Sequence, residues 1–358
     1  MFKIVPSEII YNKSLQKLNT FKVEATAEAF LAINSCDDLK VFFSEISKYK
    51  EKLVIGGGSN LLFAGDYSGL VIYPQLFGIE KTNETQDNIY LRVAASENWH
   101  KFVTSCLENN YFGIENLALI PGTVGAAPVQ NIGAYGVEIG QFIESVECFD
   151  LQKDEHVIFN HSECEFSYRD SLLKKAGQGR YLVCYVNFIL NKIATPVLSY
   201  APLKSLSAEL TKNHKKVTPK NIYNWVCNLR KEKLPDPLVL ANAGSFFKNP
   251  TISSDKFAKL KNQFPNIVGY PDKAGEKIKV AAGWLIDNAG LKGKRVGDVA
   301  IHEQQALVLV NFGETRGLKI LDLACDVMQN IKSLYGIILE PEVRVLGIDL
   351  AEKLKLIK

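Results

Sequence analysis

Three polar side chains sit in settings that chemistry could use. Arg169 lies in Ser167-Tyr168-Arg169-Asp170-Ser171, directly after an aromatic and before an acid. A guanidinium can hold a carboxylate through two parallel N–H donors, or it can pair with Asp170 at the surface. Ser245 lies in Asn242-Ala243-Gly244-Ser245-Phe246-Phe247-Lys248-Asn249-Pro250, between a glycine and two aromatics. A hydroxyl there could deliver a proton in a dry pocket, or simply close a turn. No G-x-S-x-G elbow is present and no histidine is near in sequence, so a hydrolase nucleophile is not indicated. Glu342 lies in Leu339-Glu340-Pro341-Glu342-Val343-Arg344. An acid on an otherwise apolar run is costly if buried unpaired, so Glu342 either faces solvent or meets a functional partner.

Two glycine-rich stretches accompany them. Gly56-Gly57-Gly58-Ser59-Asn60 follows a short apolar run. Consecutive glycines let backbone N–H groups approach an anion, although a tight turn fits equally. It is neither G-x-G-x-x-G nor a P-loop. The second stretch, 117–137, carries no formal charge. It includes Pro121-Gly122-Thr123-Val124-Gly125-Ala126-Ala127-Pro128 and Gln130-Asn131-Ile132-Gly133-Ala134-Tyr135-Gly136. Its length would span a bilayer, but its glycines, prolines and amides would leave backbone groups unsatisfied in lipid. Small residues this dense let a large flat ligand such as an isoalloxazine lie against the backbone. A purely structural loop is the alternative.

Elements must hold these groups in place. Ser35 reads as the N-cap of a helix over 37–50, with Asp38 completing a capping box. Strands are expected at 52–55, 69–73 and 88–94. Ser96 reads as the cap of a helix with Trp99, Phe102, Val103, Cys106 and Leu107 on its apolar face. Strands follow at 142–149 and 181–190. The stretch 194–216 lacks periodicity and reads as a lid or connector. Thr218 and Pro219 open a helix over 221–230, which ends before Leu234-Pro235-Asp236-Pro237. Helices at 254–263 and 316–334, with strands at 306–310 and 337–346, complete an α+β C-terminal part.

Bulk properties exclude several classes. The chain has 358 residues, more than one core comfortably holds, with 47% hydrophobic and 23% charged residues. A net charge of +3 and a single short basic run at 212–220 give no basic stripe for nucleic acid. The seven cysteines are scattered with no CxxC spacing, which fits a reducing cytoplasm. Cys106, Cys184 and Cys227 read as small core residues. The five histidines are too widely spaced for a metal site, and no signal peptide is legible.

In their order and spacing these motifs resemble the UDP-N-acetylenolpyruvoylglucosamine reductase family across about 14–347. The resemblance also rests on Asn19-Thr20-Phe21, Asn116-Leu117-Ala118-Leu119-Ile120-Pro121-Gly122, Lys233-Leu234-Pro235-Asp236-Pro237, Ala281-Ala282-Gly283-Trp284-Leu285-Ile286-Asp287 and Gln305-Ala306-Leu307. It implies an α+β protein of three domains: an FAD-binding pair of vanillyl-alcohol-oxidase type over 1–68 and 69–216, and a substrate-binding domain over 217–358. It implies FAD as cofactor, NADPH as co-substrate and UDP-N-acetylglucosamine enolpyruvate as substrate, in a cytoplasmic monomer with no nucleic-acid or membrane partner.

The resemblance also implies roles. Arg169 stabilises an enolate with Glu342 nearby, and Ser245 protonates the α-carbon. Gly56, Gly57, Gly58, Ser59, Asn60, Pro121, Gly122, Thr123, Gly125, Ala126, Gln130, Asn131, Gly133, Ala134 and Tyr135 contact the flavin. Lys233, Asn249, Tyr270, Lys279 and Gln305 hold the diphosphate, uridine or carboxylate, with Tyr168 alongside. Val197-Leu198-Ser199-Tyr200 is similar to the lid loop of one of the family's two types, with Tyr200 over the substrate. Gly57 stands where an acid is frequent, Ala126 and Ala127 stand where serines are common, and the 271–278 loop reads one residue long. Two rivals are a related FAD oxidase and a non-catalytic binding protein. An oxidase has no use for an α-carbon proton donor, and a binding protein would be expected to lose one of Arg169, Ser245 and Glu342.

Overall fold

The computed structural model describes residues 6–175, 177–212, 214–272 and 274–355. Its chain divides into two units of interleaved sequence: one takes the part up to 13 with 28–57 and 69–232, the other takes 14–27, 58–68 and the part from 233 onward.

In the first unit, period-two patterning produces a five-stranded sheet in the order Glu155–Asn160, Ile143–Asp150, Tyr181–Asn191, Asn88–Ala94, Ile79–Glu84. All its neighbours are antiparallel. Because successive side chains alternate across a strand, the sheet feeds two cores. Ile89, Leu91, Val93, Val146 and Phe188 join one, and Ala94, Phe149, Leu182 and Cys184 join the other. The helix Trp99–Glu108 buries Trp99, Phe102, Val103 and Cys106 in the first core, each large side chain worth about 1.5–3 kcal/mol of burial. Phe102 and Phe188 pack with ring centroids 5.1 Å apart. Trp99 Nε1 donates to the Leu117 carbonyl at 2.8 Å, which ties this helix to the uncharged stretch. The second core lies under a four-stranded sheet, ordered Ile9–Ser14, Thr26–Ile33, Tyr67–Pro74, Lys52–Val54.

In the second unit, Ala241–Ser245, Val308–Asn311, Val299–Ile301 and Arg295–Val296 form one antiparallel sheet. Thr251–Ser253, Lys277–Val280 and Gly269–Pro271 form another. The helix Gly317–Tyr335 buries Ile320, Leu321, Ala324, Met328 and Ile331, and ends at Gly336 with φ +62°, a left-handed cap that glycine adopts without strain. The strand Arg344–Leu346 pairs in parallel with Leu61–Phe63.

Several local expectations change. Ser35 and Asp38 form their capping box, but the helix over 37–50 breaks at Phe42 into Cys36–Val41 and Phe43–Ser47. Asn98, not Ser96, caps the next helix, accepting from Lys101 N–H at 3.0 Å. Ser96 Oγ instead donates to the Pro74 carbonyl at 2.7 Å and accepts from Leu76 N–H at 2.9 Å. The stretch 194–216 contains the helix Ala201–Lys212. The run over 337–346 is a regular strand only at Arg344–Leu346, so Glu342 lies in the bend before it. The helix opened by Thr218 spans Pro219–Lys233, with Thr218 Oγ1 accepting from Asn221 N–H at 3.2 Å.

Candidate active site

The first unit holds Arg169 in a strained turn. Its φ is +55°, a left-handed conformation that costs a non-glycine residue on the order of 1–2 kcal/mol. Lys174 Nζ donates to the Arg169 carbonyl at 2.7 Å, and Arg169 Nη2 donates to the Gly133 carbonyl at 2.7 Å. Asp170 faces Lys175 instead, at 3.2 Å. The surface Arg169–Asp170 pair, open from sequence, is therefore not the arrangement adopted. Tyr168 lies beside the guanidinium, its ring centroid 5.4 Å from Arg169 Cζ.

The uncharged stretch wraps round the same place. Leu119, Asn131 and Tyr135 all have positive φ, at +58°, +44° and +50°. Such residues gather where a fold over-determines its backbone, and often at functional sites. Asn131 supplies part of that determination: its amide donates to Glu138 Oε2 and the Ser167 carbonyl, and its oxygen accepts from Gly140 N–H at 2.9 Å. This fixes the 130–135 loop to the Arg169 turn. Asn116 Nδ2 donates to the carbonyls of Tyr135 and Val197, at 2.9 and 3.0 Å. Tyr200 meets Tyr135 edge-on, with centroids 5.1 Å apart at 89°. The expected lid segment thus lies against the glycine-rich loop.

Gly56 and Gly57 adjoin this stretch. A Cβ on Gly57 would come 2.9 Å from Gly122 Cα, so the loops meet backbone to backbone. Among the described residues, the N–H groups of Gly56, Gly57, Gly58, Ser59, Gly122 and Thr123 donate to no protein acceptor. Gly57, Pro121 and Ala126 are exposed. Half-buried Gln130, Gly133 and Ala134 continue the lining, whereas Gly125 is buried and its N–H donates to the Ala95 carbonyl at 2.8 Å. Gly125 therefore builds the loop rather than facing out of it.

Two residues that sequence reading missed complete this half. Arg230, on the helix Pro219–Lys233, donates from Nε to the Leu119 carbonyl at 3.2 Å and interacts electrostatically with the Tyr135 hydroxyl. Burial pushes the guanidinium below the usual arginine range, partly offset by Tyr135 and Cys227 and reinforced by the charge of Arg169. Burial likewise raises the Tyr135 hydroxyl. His100 lies behind Leu119, its Nδ1 accepting from Leu119 N–H at 3.1 Å.

The second unit brings Ser245 and Glu342 onto neighbouring backbones. Ser245 ends the strand Ala241–Ser245, after Gly244 at φ +71°. Glu342 N–H donates to the Phe246 carbonyl at 2.7 Å, and Lys248 N–H to the Glu340 carbonyl at 2.9 Å. These two bonds bracket an isolated bridge between Phe247 and Pro341, a position whose N–H would point away from the partner, so proline is tolerated there. Asn60 joins it, donating to the Glu342 carbonyl at 3.3 Å and accepting from Arg344 N–H at 3.0 Å. Ser245 and Glu342 are both half-buried.

The remaining candidates divide. Tyr270 stands directly opposite Lys279 across paired strands, so those two share a surface. Asn249 Oδ1 accepts from Ala282 N–H at 2.9 Å, capping the helix Ala282–Asn288 from outside. Gln305 Oε1 lies 3.6 Å from the position of a Cβ on Gly283. Lys233 is exposed at the end of its helix. No cluster of metal-ligating side chains occurs among the described residues, and none of their helices is long and apolar enough to cross a membrane.

Comparison with known proteins gives a consistent result. Residues 27–158 match the family described as FAD binding domain, and 236–346 match the C-terminal domain of UDP-N-acetylenolpyruvoylglucosamine reductase. The UDP-N-acetylenolpyruvoylglucosamine reductase of Shewanella sediminis (strain HAW-EB3) is 47% identical over 337 residues, covering 94% of this chain and 96% of that protein. The protein of the same name from Aliivibrio fischeri (strain ATCC 700601 / ES114) is 42% identical over 339 residues, covering 94% of each. A crystal structure of the Thermus caldophilus reductase shares the fold, with a TM-score of 0.63 at 24% identity over 95% of this chain and 98% of that one. The residues present fit FAD: an uncharged loop, exposed backbone and unspent N–H donors suit a flat ring system and a pyrophosphate. The chain carries an FAD-binding domain and belongs to the UDP-N-acetylenolpyruvoylglucosamine reductase family.

Proposed function

We propose that the protein reduces the enolpyruvyl ether of UDP-N-acetylglucosamine enolpyruvate to UDP-N-acetylmuramate, with NADPH as electron donor. The observation that carries this reading is the Ser245–Glu342 arrangement. A hydroxyl and a carboxylate sit on backbones joined by the Glu342 N–H to Phe246 bond, in a family whose relatives bear the reductase name. FAD, when bound, supplies the hydride that adds to the β-carbon of the enol ether. That addition develops negative charge on the substrate carboxylate. Arg169, preset by its Gly133 bond, offers a fixed guanidinium to that charge, which costs no reorganisation during the reaction. Ser245 then gives a proton to the α-carbon. The hydroxyl is a weak acid for this work, and Glu342 assists Arg169 at the enolate.

Lys233, Asn249, Tyr270, Lys279 and Gln305 hold the diphosphate, the uridine or the carboxylate. Tyr200 covers the substrate as the lid that the resemblance implies, with Tyr168 among the substrate contacts. No separate dinucleotide fingerprint is present, so NADPH and the enolpyruvyl sugar take turns at the flavin.

Ser245→Ala tests the assignment by separating two half-reactions. The purified protein is expected to be yellow, and NADPH should bleach the variant at the wild-type rate. Reoxidation by the enolpyruvyl substrate under anaerobic stopped flow should slow by about 10²–10⁴-fold. Unchanged reoxidation would place the proton donor elsewhere. A flavin that NADPH cannot bleach would overturn the reductase reading.

A further inference from the structure

His100 takes no part in the chemistry above, yet a chain of contacts leads from it to the flavin loop. It sits on the helix Trp99–Glu108. Its ring stacks on Tyr223 of the helix Pro219–Lys233, with centroids 5.8 Å apart at 12°, and Tyr223 is held by a 2.8 Å hydroxyl bond to Thr104. His100 Nδ1 lies 3.1 Å from Leu119 N–H. A backbone N–H can only donate, so this nitrogen must be the unprotonated one. Leu119 has φ +58°, and its carbonyl accepts from Arg230 Nε at 3.2 Å. The Arg230 charge acts on the Tyr135 hydroxyl, and the Tyr135 ring meets Tyr200.

We propose that His100 is a positioning residue: as the neutral Nε2–H tautomer it locks Leu119 in the left-handed turn that aims the Leu119 carbonyl at Arg230, and so presets the Arg230–Tyr135 pair on the flavin loop. The proposal rests on the reading that 121–135 holds FAD. The lock has a built-in sensitivity. Protonation of Nδ1 would set two N–H donors face to face. The surroundings oppose the cation: Arg230 and Lys231 face His100 from the end of one helix, Tyr223 stacks from the same helix, and the 117–123 loop brings no charge. Burial, then the charges of Lys231 and Arg230, hold the imidazole below its usual value. The sign follows. A lowered folded-state value means that the locked turn is fully held above the ordinary histidine value near 6.5 and is released as pH falls through the lower folded value.

Two variants test it. His100→Phe keeps volume and stacking but removes the acceptor. His100→Asn supplies an amide oxygen near the place of Nδ1 that never protonates. Hydrogen exchange of the 117–123 segment in the apoprotein reads the lock without flavin, and FAD titration from pH 8 to pH 5 reads its consequence. His100→Phe should exchange faster and bind FAD about tenfold more weakly, the effect of one half-buried N–H that loses its acceptor. His100→Asn should restore both and lose the decline in affinity that the wild type shows at low pH. Wild-type exchange in the Phe variant, Phe-like exchange in the Asn variant, or an undiminished pH decline in the Asn variant would each overturn the proposal. If His100→Phe fails to fold, the wild-type and Asn pH profiles decide alone. Failure of the wild type to bind FAD would count against the flavin reading, while the exchange comparison would still judge His100.

Discussion

Arg169 shows what a single residue is asked to do. It occupies a left-handed backbone conformation, donates to the Gly133 carbonyl, and in the proposed reaction its guanidinium also meets a carboxylate. A lysine has a flexible point charge and cannot satisfy both tasks with fixed geometry. Arg169→Lys is therefore expected to lower kcat/KM for the enolpyruvyl substrate about 10²–10³-fold, with NADPH-driven flavin reduction little changed. Equal losses in both half-reactions, measured separately, would show that the substitution had disturbed the loop rather than the developing charge. Arg169, Ser245 and Glu342 become candidates through the ordered resemblance, since each motif alone also fits a bland reading. Sequence did not reveal that Asp170 turns to Lys175, because adjacent side chains on a left-handed turn diverge. Nor did it reveal Arg230 or His100. Arg230 acts on a carbonyl 111 positions away, and nothing in its own helix marks it.

At the scale of elements, the glycine-rich loop is held by close approach to its neighbours. A Cβ on Gly125 would lie 2.5 Å from Ala95 Cβ, while Gly125 N–H donates to the Ala95 carbonyl at 2.8 Å. Gly125→Ala should push 123–126 off the strand end, at a cost of about 1–3 kcal/mol from overpacking, and weaken FAD retention. Ala95→Gly added to it removes the colliding methyl and should recover most of the loss. Thermal melts and flavin release measure both, and an additive double variant would show that the clash is not the cause. The regular elements were the legible ones. Asn88–Ala94 and Ser254–Gln263 fall where pattern and caps place them. The helix Ala201–Lys212 escaped because only Leu203 and Ser207 are buried on it, too few to print a helical stripe. The cap moved from Ser96 to Asn98 because Ser96 is recruited by the Pro74–Leu76 backbone, a contact that local sequence cannot show.

At the scale of the molecule, sequence suggests contiguous domains, whereas the second unit draws in 14–27 and 58–68. These segments are part of its interior. Phe21 is fully buried and packs 6.4 Å from Phe246. The Phe21 carbonyl accepts from Asn311 Nδ2 at 2.8 Å, and Glu24 N–H donates to Thr315 at 2.7 Å. Fully buried Leu62 and Phe63 lie on the strand paired with Arg344–Leu346. Losing a buried phenylalanine costs about 3–5 kcal/mol, and removing Phe21 and Phe63 together approaches the roughly 5–15 kcal/mol that holds a whole domain. A fragment of residues 233–358 should therefore lack a cooperative thermal transition and show a flat near-ultraviolet circular dichroism spectrum. The same fragment with 14–27 and 58–68 joined to it through flexible linkers should melt cooperatively. A sharp transition in the bare fragment would show that the N-terminal segments merely decorate this unit, and its core would then have to be sought among the residues after 233 alone.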